Sequence, residues 1–368
     1  MKNFHQSFLF CLGSVLLLLG GSSCSSESEN SVKTIIGWNI DKGDLDEYFE
    51  GQLAGREEKS LSLGLINNGE LVYTYHQGVI EEGSKTAASD STRFLLNSGS
   101  RPILFYFAMT LVEDGSLDLD KPLSEYIEMA EVVNDSGLEG ITTRSVIANK
   151  TGLEMLSSAG QDGIVGYKIK PGKESSDAEI GLNYLMEAIM EVEKVGFDQL
   201  DSVFQQKVAM PLGMSKTQLI TSSDAFNTDH QFNLQSNLID YSKWMSGVMN
   251  GVGLSEENMN NLLNPIERDE KSDNSDLSKM KVGDYEFYTN TGLSDGFSNY
   301  VTFDRNIDWG LLAFSKSNYA AEVGFTGMLY LIVGSKINLI ITLVSLSLLA
   351  LTFGFFYGLY RLYKFIMS

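Results

Sequence analysis

The stretch that decides the fold runs from Phe94 to Leu119 and reads F-L-L-N-S-G-S-R-P-I-L-F-Y-F-A-M-T-L-V-E-D-G-S-L-D-L. A serine, Ser98, stands just ahead of an apolar run that begins at Pro102 and ends at Glu113. The run has the spacing and apolar character of a buried helix. A hydroxyl at the start of such a helix is placed as a nucleophile would be, and equally as a helix N-cap would be.

Five further segments follow this stretch in order along the chain. They are I-T-T-R-S-V-I-A-N-K-T-G-L at 141–153, P-G-K-E-S-S-D-A-E-I-G-L-N-Y-L-M-E-A-I at 171–189, P-L-G-M-S-K-T at 211–217, N-L-Q-S-N-L-I-D-Y at 233–241 and T-N-T-G-L-S-D-G-F at 289–297. Together the six segments resemble the penicillin-recognising serine hydrolases, namely class C β-lactamases, D-alanyl-D-alanine carboxypeptidases and related esterases. The resemblance covers roughly residues 44–318. It implies an α+β, β-lactamase/transpeptidase-like fold, in which helices flank an antiparallel sheet and a helical subdomain spans about 126–270.

The resemblance assigns the catalytic positions, and several of them hold other residue types. The family's Ser-x-x-Lys motif is represented by Ser98 and Arg101. A lysine can accept the serine proton, whereas an arginine guanidinium stays protonated in proteins. The tyrosine and asparagine of the Tyr-x-Asn motif are replaced by Asp177 and Glu179. The resemblance therefore implies a site that has kept its nucleophile and lost its proton acceptor.

The two new acids allow two interpretations. Asp177 and Glu179 could form a charge-compensated cluster with Arg101, since arginine pairs well with carboxylates. They could equally be solvated acids of a surface loop. If they form the cluster, we expect Arg101 within salt-bridge distance of one of them.

The third motif of the family, Lys/His-Thr-Gly, reads Asn290-Thr291-Gly292 here. Its first residue helps to bind the substrate carboxylate in the family, and the resemblance places an oxyanion hole at the backbone N–H groups of Ser98 and Leu293. We therefore expect Asn290, Thr291, Gly292 and Leu293 to be substrate-binding residues that share one cleft with Ser98. Asn290 as an ordinary strand residue is the alternative.

The N-terminal end has the pattern of a secretory signal. Residues 1–24 contain Lys2, an apolar run and a group of small residues that ends at Cys24. The closing segment G-S-S-C-S-S resembles the lipobox of a bacterial lipoprotein, which predicts lipidation of Cys24; ordinary cleavage nearby is the alternative. Residues 25–33 are rich in Ser, Glu and Asn and predict a flexible tether.

The C-terminal end predicts a membrane anchor. Residues 337–360 carry no charge and are long enough to cross a bilayer, although a buried core helix is the alternative. Arg361 and Lys364 follow and favour a cytoplasmic tail over 361–368. Residues 34–334 would then form one extracytoplasmic domain, periplasmic or extracellular, held at the membrane.

Composition excludes several function classes. The formal net charge is -21, from 48 acidic and 27 basic residues, which argues against a nucleic-acid partner. No Cys/His cluster with ligand spacing occurs, so we expect no metal and no cofactor. The two cysteines are Cys11, inside the signal, and Cys24, so the exported part has no intramolecular disulfide.

Local patterns predict strands at both ends of the domain and helices between them. Strand character occurs at 61–66, 70–75, 285–290, 298–303 and 308–314, and helical spacing at 44–53, 102–113, 184–195, 197–208 and 239–250. The segment Asn67-Asn68-Gly69 predicts a hairpin turn. We therefore expect a sheet of about five antiparallel strands built from both ends of the chain.

Three functions fit these observations. The first is a catalytically degenerate, membrane-anchored protein that binds a peptidoglycan peptide, another peptide or a protein partner. The second is an active serine hydrolase of the β-lactamase, carboxypeptidase or esterase type, in which Ser98 attacks and Asp177 or Glu179 serves as base. The third is a structural membrane protein whose C-terminal helix carries the function.

Overall fold

The centre of the molecule is a six-stranded antiparallel sheet. The computed structural model describes residues 30–55, 60–80, 83–129, 132, 137–155, 167–170, 178–221, 232–265, 277–294 and 296–333. The strands are β3 (Ser60–Asn67), β4 (Glu70–Gly78), β10 (Ser278–Val282), β11 (Tyr285–Ser294), β12 (Phe297–Asp304) and β13 (Trp309–Ser315). Their order is β10-β11-β12-β13-β3-β4. The two ends of the domain meet where β13 pairs with β3, as the sequence patterns predicted.

A tight turn joins β3 to β4. Asn68 and Gly69 have φ angles of 51° and 73°. Two consecutive residues with positive φ are typical of the type I′ turn, whose twist matches that of the strands it connects. The hairpin predicted at Asn67-Asn68-Gly69 is therefore present.

Strand alternation divides the core into two layers. Leu61, Leu63 and Leu65 of β3 pack on the outer face, beneath α1 (Lys42–Leu53) and α8 (Ala320–Val333). The inner face carries Ile66 of β3 and residues of β12 and β13 that belong to the larger apolar cluster. Because successive side chains of a strand point to opposite faces, one strand serves both layers.

The helices of the inner layer form the second half of the domain. They are α2 (Arg101–Glu113), α3 (Thr143–Ile147), α4 (Ala178–Glu193), α5 (Leu200–Phe204), α6 (Leu238–Met249) and α7 (Glu256–Leu263). Three short strands pair in the order β5-β9-β8 (β5, Phe94–Leu95; β8, Gln218–Thr221; β9, Phe232–Ser236), and β6 (Leu153–Met155) pairs with β7 (Tyr167–Ile169). Every residue of α2 from Pro102 to Leu111 is buried, so this helix is the core of the inner layer.

Two elements of the sheet layer were not predicted. The edge strand β10 has the polar sequence S-K-M-K-V and only its last residue is buried, so it carries little of the alternating pattern of a strand. In α8 the glycines Gly324 and Gly327 weaken the helical signal. They lie against the rings of Tyr300 and Phe49, where a side chain would collide, so close packing on the sheet determines this helix.

The N-terminal boundary of the domain also differs from the prediction. Ser31–Lys33, the last residues assigned to the tether, form β1, which pairs with β2 (Asn39–Asp41). Cys24, the rest of the signal, and the predicted membrane helix at 337–360 with its tail lie outside the described residues. Among the residues that are described, no helix combines the length and the apolar character needed to cross a membrane.

Candidate functional site

Ser98 lies in a turn between β5 and α2. Residues Asn97–Ser100 form one turn of 3₁₀ helix, and α2 begins at the next residue, Arg101. The residue before the serine, Asn97, has a φ of 48°, a left-handed conformation that asparagine tolerates better than most residues. The N-cap position of α2 belongs to Ser100, and Ser98 Oγ forms no hydrogen bond with any residue that the structure describes. Ser98 is therefore not the N-cap of this helix.

One asparagine fixes the serine turn from the side of β9. The Oδ1 atom of Asn233 accepts hydrogen bonds from the backbone N–H of Asn97 at 2.9 Å and from Ser100 Oγ at 2.8 Å. Its Nδ2 atom donates to Asn97 Oδ1 at 2.7 Å. Ser100 Oγ also accepts from the N–H of Leu234 at 2.9 Å. The residues on both sides of Ser98 are thus held, while its own hydroxyl is left without a protein partner.

Tyr241 supports the same turn from α6. Its hydroxyl donates to the carbonyl oxygen of Gly99 at 3.2 Å. Complete burial raises the pKa of Tyr241, so the phenol stays neutral and acts as a donor rather than as a proton acceptor. Asn233 and Tyr241 are the first and last residues of the segment N-L-Q-S-N-L-I-D-Y. That segment was the available signal for both residues, although the sequence alone assigned them no role.

The strand β11 covers the serine hydroxyl. A Cβ atom on Gly292 would lie 2.0 Å from Ser98 Oγ, so only glycine fits at this position. Ser98 Oγ is sealed from solvent. Alternation along β11 places the side chains of Thr291 and Leu293 on the other face of the strand, and Leu293 is 67 % exposed. The structure therefore brings Gly292 to the serine and turns the side chains of Thr291 and Leu293 away from it.

Asn290 lies beneath this contact. It is buried, and its Oδ1 atom accepts a hydrogen bond of 2.6 Å from Asn299 Nδ2 on the neighbouring strand β12. The amide of Asn299 in turn lies against Gly99 and Gly292, the glycines that follow Ser98 and approach it. Asn290 thus shares the inner face of β11 with Gly292, and it joins the serine turn through Asn299, a residue that sequence reasoning missed.

Arg101 and Glu179 form an ion pair across the interface of α2 and α4. The distance from Arg101 Nη1 to Glu179 Oε2 is 3.9 Å, and the two side chains are 19 % and 6 % exposed. The expected contact between Arg101 and one of the two acids is therefore present. Asp177 lies outside the described residues. A buried carboxylate at the position of Glu179 is compatible with low dielectric surroundings because the guanidinium compensates its charge.

Away from Ser98, a serine, a histidine and an aspartate form a chain of hydrogen bonds near the edge of the sheet. Ser62 Oγ lies 2.8 Å from His76 Nδ1, and His76 Nε2 lies 2.8 Å from Asp90 Oδ1. No sequence pattern indicated this arrangement, since Ser62 and His76 are brought together only by the register of β3 and β4. Ser62 is fully buried inside the sheet, so the three residues fix the hairpin and the 83–93 segment rather than presenting a nucleophile.

Comparison with known proteins shows which family model and which solved structures this chain is similar to. A sequence model described as Beta-lactamase matches residues 45–332. No curated protein matches the chain. Similar solved structures include a D-amino acid amidase from Ochrobactrum anthropi (TM-score 0.63, 15% identity, covering 80% of this chain and 99% of that chain). An octameric penicillin-binding protein homologue from Pyrococcus abyssi has a TM-score of 0.62 at 15% identity, covering 80% of this chain and 78% of that one. A class C β-lactamase from Rhodobacter sphaeroides has a TM-score of 0.59 at 16% identity, covering 78% and 97%.

Proposed function

The chain belongs to the β-lactamase family, and we propose that within this family it is a catalytically degenerate member that binds a ligand without hydrolysing it. The observation that carries the proposal is the Arg101–Glu179 pair. These residues occupy the positions at which active members of the family have the lysine that accepts the serine proton and the asparagine that holds this lysine. The site has kept its architecture, and an ion pair stands where the family has its proton-accepting lysine and the asparagine that holds it.

Two physical arguments support the loss of catalysis. Serine is a poor nucleophile until a neighbouring group accepts its proton, and such general-base assistance contributes about 10²–10⁴ in rate. An arginine cannot give that assistance, because its guanidinium does not release its proton in proteins. Within the part of the chain that the structure describes, no side chain that could accept the proton as a base is hydrogen-bonded to Ser98 Oγ.

The burial of the Ser98 hydroxyl also supports the loss of catalysis. Ser98 Oγ is sealed beneath Gly292, and Asn290 stands where the family has a cation that helps to bind the substrate carboxylate. Asn290 is neutral and its oxygen is already hydrogen-bonded to Asn299. A ligand would therefore be held by contacts other than those that bind a penicillin carboxylate in the family.

We further propose where the protein works and what it binds. The signal at 1–24, lipidation at Cys24 and the apolar segment at 337–360 would hold the domain outside the cytoplasm at a membrane, with the C-terminus on the cytoplasmic side. Ligands available there include a peptidoglycan peptide, another peptide and a membrane-protein partner. A tag fused after Ser368 in intact cells tests this topology; protection from external protease supports it, and cleavage from outside contradicts it.

Covalent probes separate the binding protein from an active hydrolase. Membranes carrying the full chain are incubated with a fluorescent penicillin and with a fluorophosphonate, and hydrolysis of nitrocefin is followed in parallel. We expect no turnover and no labelling above that of Ser98→Ala. Arg101→Lys should not restore turnover on its own, because Asp177 and Glu179 still replace the tyrosine and asparagine. Labelling of the wild type that is lost in Ser98→Ala would establish the hydrolase instead.

A further inference from the structure

Two buried polar atoms in this site lack partners, and they are neighbours. Ser98 Oγ and Asn299 Oδ1 are both sealed from solvent and form no hydrogen bond. A point at the Cβ position of Gly292 would lie 2.0 Å from the first atom and 2.2 Å from the second. A buried donor or acceptor without a partner destabilises the fold, so two adjacent unpaired atoms of complementary type call for an explanation.

The orientation of the Asn299 amide is fixed by its other end. Its nitrogen donates to Asn290 Oδ1 at 2.6 Å, so a flipped amide would set two oxygen atoms against each other. Asn299 therefore presents only an acceptor towards the serine turn. Ser98 presents a hydroxyl, which can donate a hydrogen bond to that oxygen.

We propose that Asn299 is the positioning residue of Ser98, and that its Oδ1 atom accepts the hydrogen bond of the Ser98 hydroxyl. The inference rests on the proposed function, because it describes a serine that is held rather than activated. A neutral amide oxygen accepts a hydrogen bond but does not take the proton away, so Ser98 remains a neutral alcohol. The amide also spaces the serine turn from β11, since it lies between Gly99 and Gly292.

A double-mutant cycle on the full chain in detergent tests the bond. Urea unfolding is measured for Ser98→Ala, Asn299→Ala and the double variant. If the bond exists, the double variant loses less stability than the two single losses together, by about fivefold in the unfolding equilibrium constant. The control pair is Ser60→Ala with Asn299→Ala, because Ser60 Oγ is also buried without a partner but lies on β3. Additive effects in both pairs would overturn the proposal.

The reactivity of a thiol introduced at position 98 provides a second test. It depends on direct contact with residue 299, and a purely structural role of Asn299 would not change it. In Ser98→Cys, alkylation of the introduced thiol is followed by mass spectrometry as a function of pH. Adding Asn299→Asp places a carboxylate against the thiol, which disfavours the thiolate. We expect alkylation at pH 7 to fall at least about tenfold. Asn290→Asp adds the same charge at the other end of the Asn299 amide, further from residue 98. This variant should therefore have a smaller effect on alkylation.

Equal effects of the two carboxylates would refute contact between Asn299 and residue 98. This measurement also covers the case in which Asn299→Ala does not fold. Failure of the proposed function has a different signature, namely covalent labelling of wild-type Ser98. The two failures are therefore distinguishable.

Discussion

Neutralising Glu179 is the most direct test of the ion pair between Arg101 and Glu179. In Glu179→Gln the shape of the side chain is kept, and the negative charge that faces the Arg101 guanidinium across this pair is removed. Two unit charges 3.9 Å apart attract by about 4 kcal/mol at an effective dielectric constant of about 20. Removing one partner of a buried pair costs about 3–5 kcal/mol. Because Arg101 is 19 % exposed, water offsets part of this, and we expect the free energy of unfolding to fall by about 2–3 kcal/mol.

The assay is urea unfolding of the full chain in detergent, followed by tryptophan fluorescence; Trp244 is fully buried and reports on the inner layer. Glu191→Gln is the matched control, because Glu191 lies on the same helix and pairs with Lys194 at the surface. Exposed pairs of this kind contribute little, so the control should change stability by less than about 0.5 kcal/mol.

A double replacement tests the same ion pair in a second way. Replacing both partners by apolar residues, as in Arg101→Met with Glu179→Leu, also removes the guanidinium that Glu179→Gln leaves in place, and should recover most of the lost stability. If Glu179→Gln costs no more than Glu191→Gln, or if the double replacement is worse than the single one, the pair does not stabilise this interface as we describe.

Two further predictions concern other parts of the domain. Gly292→Ala should lower the free energy of unfolding by about 1–3 kcal/mol, because the added methyl group meets the Ser98 hydroxyl. Gly51→Ala, in open space on α1, should instead raise it by about 0.5–1 kcal/mol; the same urea assay decides, and a harmless Gly292→Ala would contradict the closed site. The pKa of Glu113 lies below its ordinary value because the Ser255 backbone N–H and the Asn258 side chain donate to its carboxylate. Its stabilising contribution is therefore present above the unfolded pKa, about 4.3, and is lost as the pH falls through the lower folded value. Glu113→Gln should be less stable than the wild type at pH 7, and melting curves taken towards pH 3 should converge; a gap that persists in acid would reject this assignment.

The sequence predicted the central sheet because its strands have local signals. The hairpin around Asn68 and Gly69 has both apolar alternation and turn residues, and β12 and β13 are buried along their whole length. The edge strand β10 lacks this pattern because only its last residue is buried, so its identity depends on its pairing with β11. The helix α8 depends on its fit to the sheet, and that fit involves Tyr300 and Phe49, which are distant in sequence.

The site residues also divide into those with a local sequence signal and those that only the fold brings together. Motif order identified Ser98, Arg101 and Glu179, because a family's spacing survives when its residue types change. It could not identify Asn299, because only the antiparallel register places that residue opposite Gly292. Nor could it find the contact between Ser62 and His76, which the β3–β4 register creates. The membrane helix at 337–360 and lipidation of Cys24 stay predictions.

The start and the end of the described domain are joined directly. The backbone N–H of Ile35 donates to the carbonyl oxygen of Leu331 at 3.2 Å, and α1 and α8 lie side by side on the outer face. The serine turn lies on the opposite side of the sheet. Tension applied through the two ends is therefore borne within the outer layer, by shear between neighbouring elements, and does not pass through the serine turn.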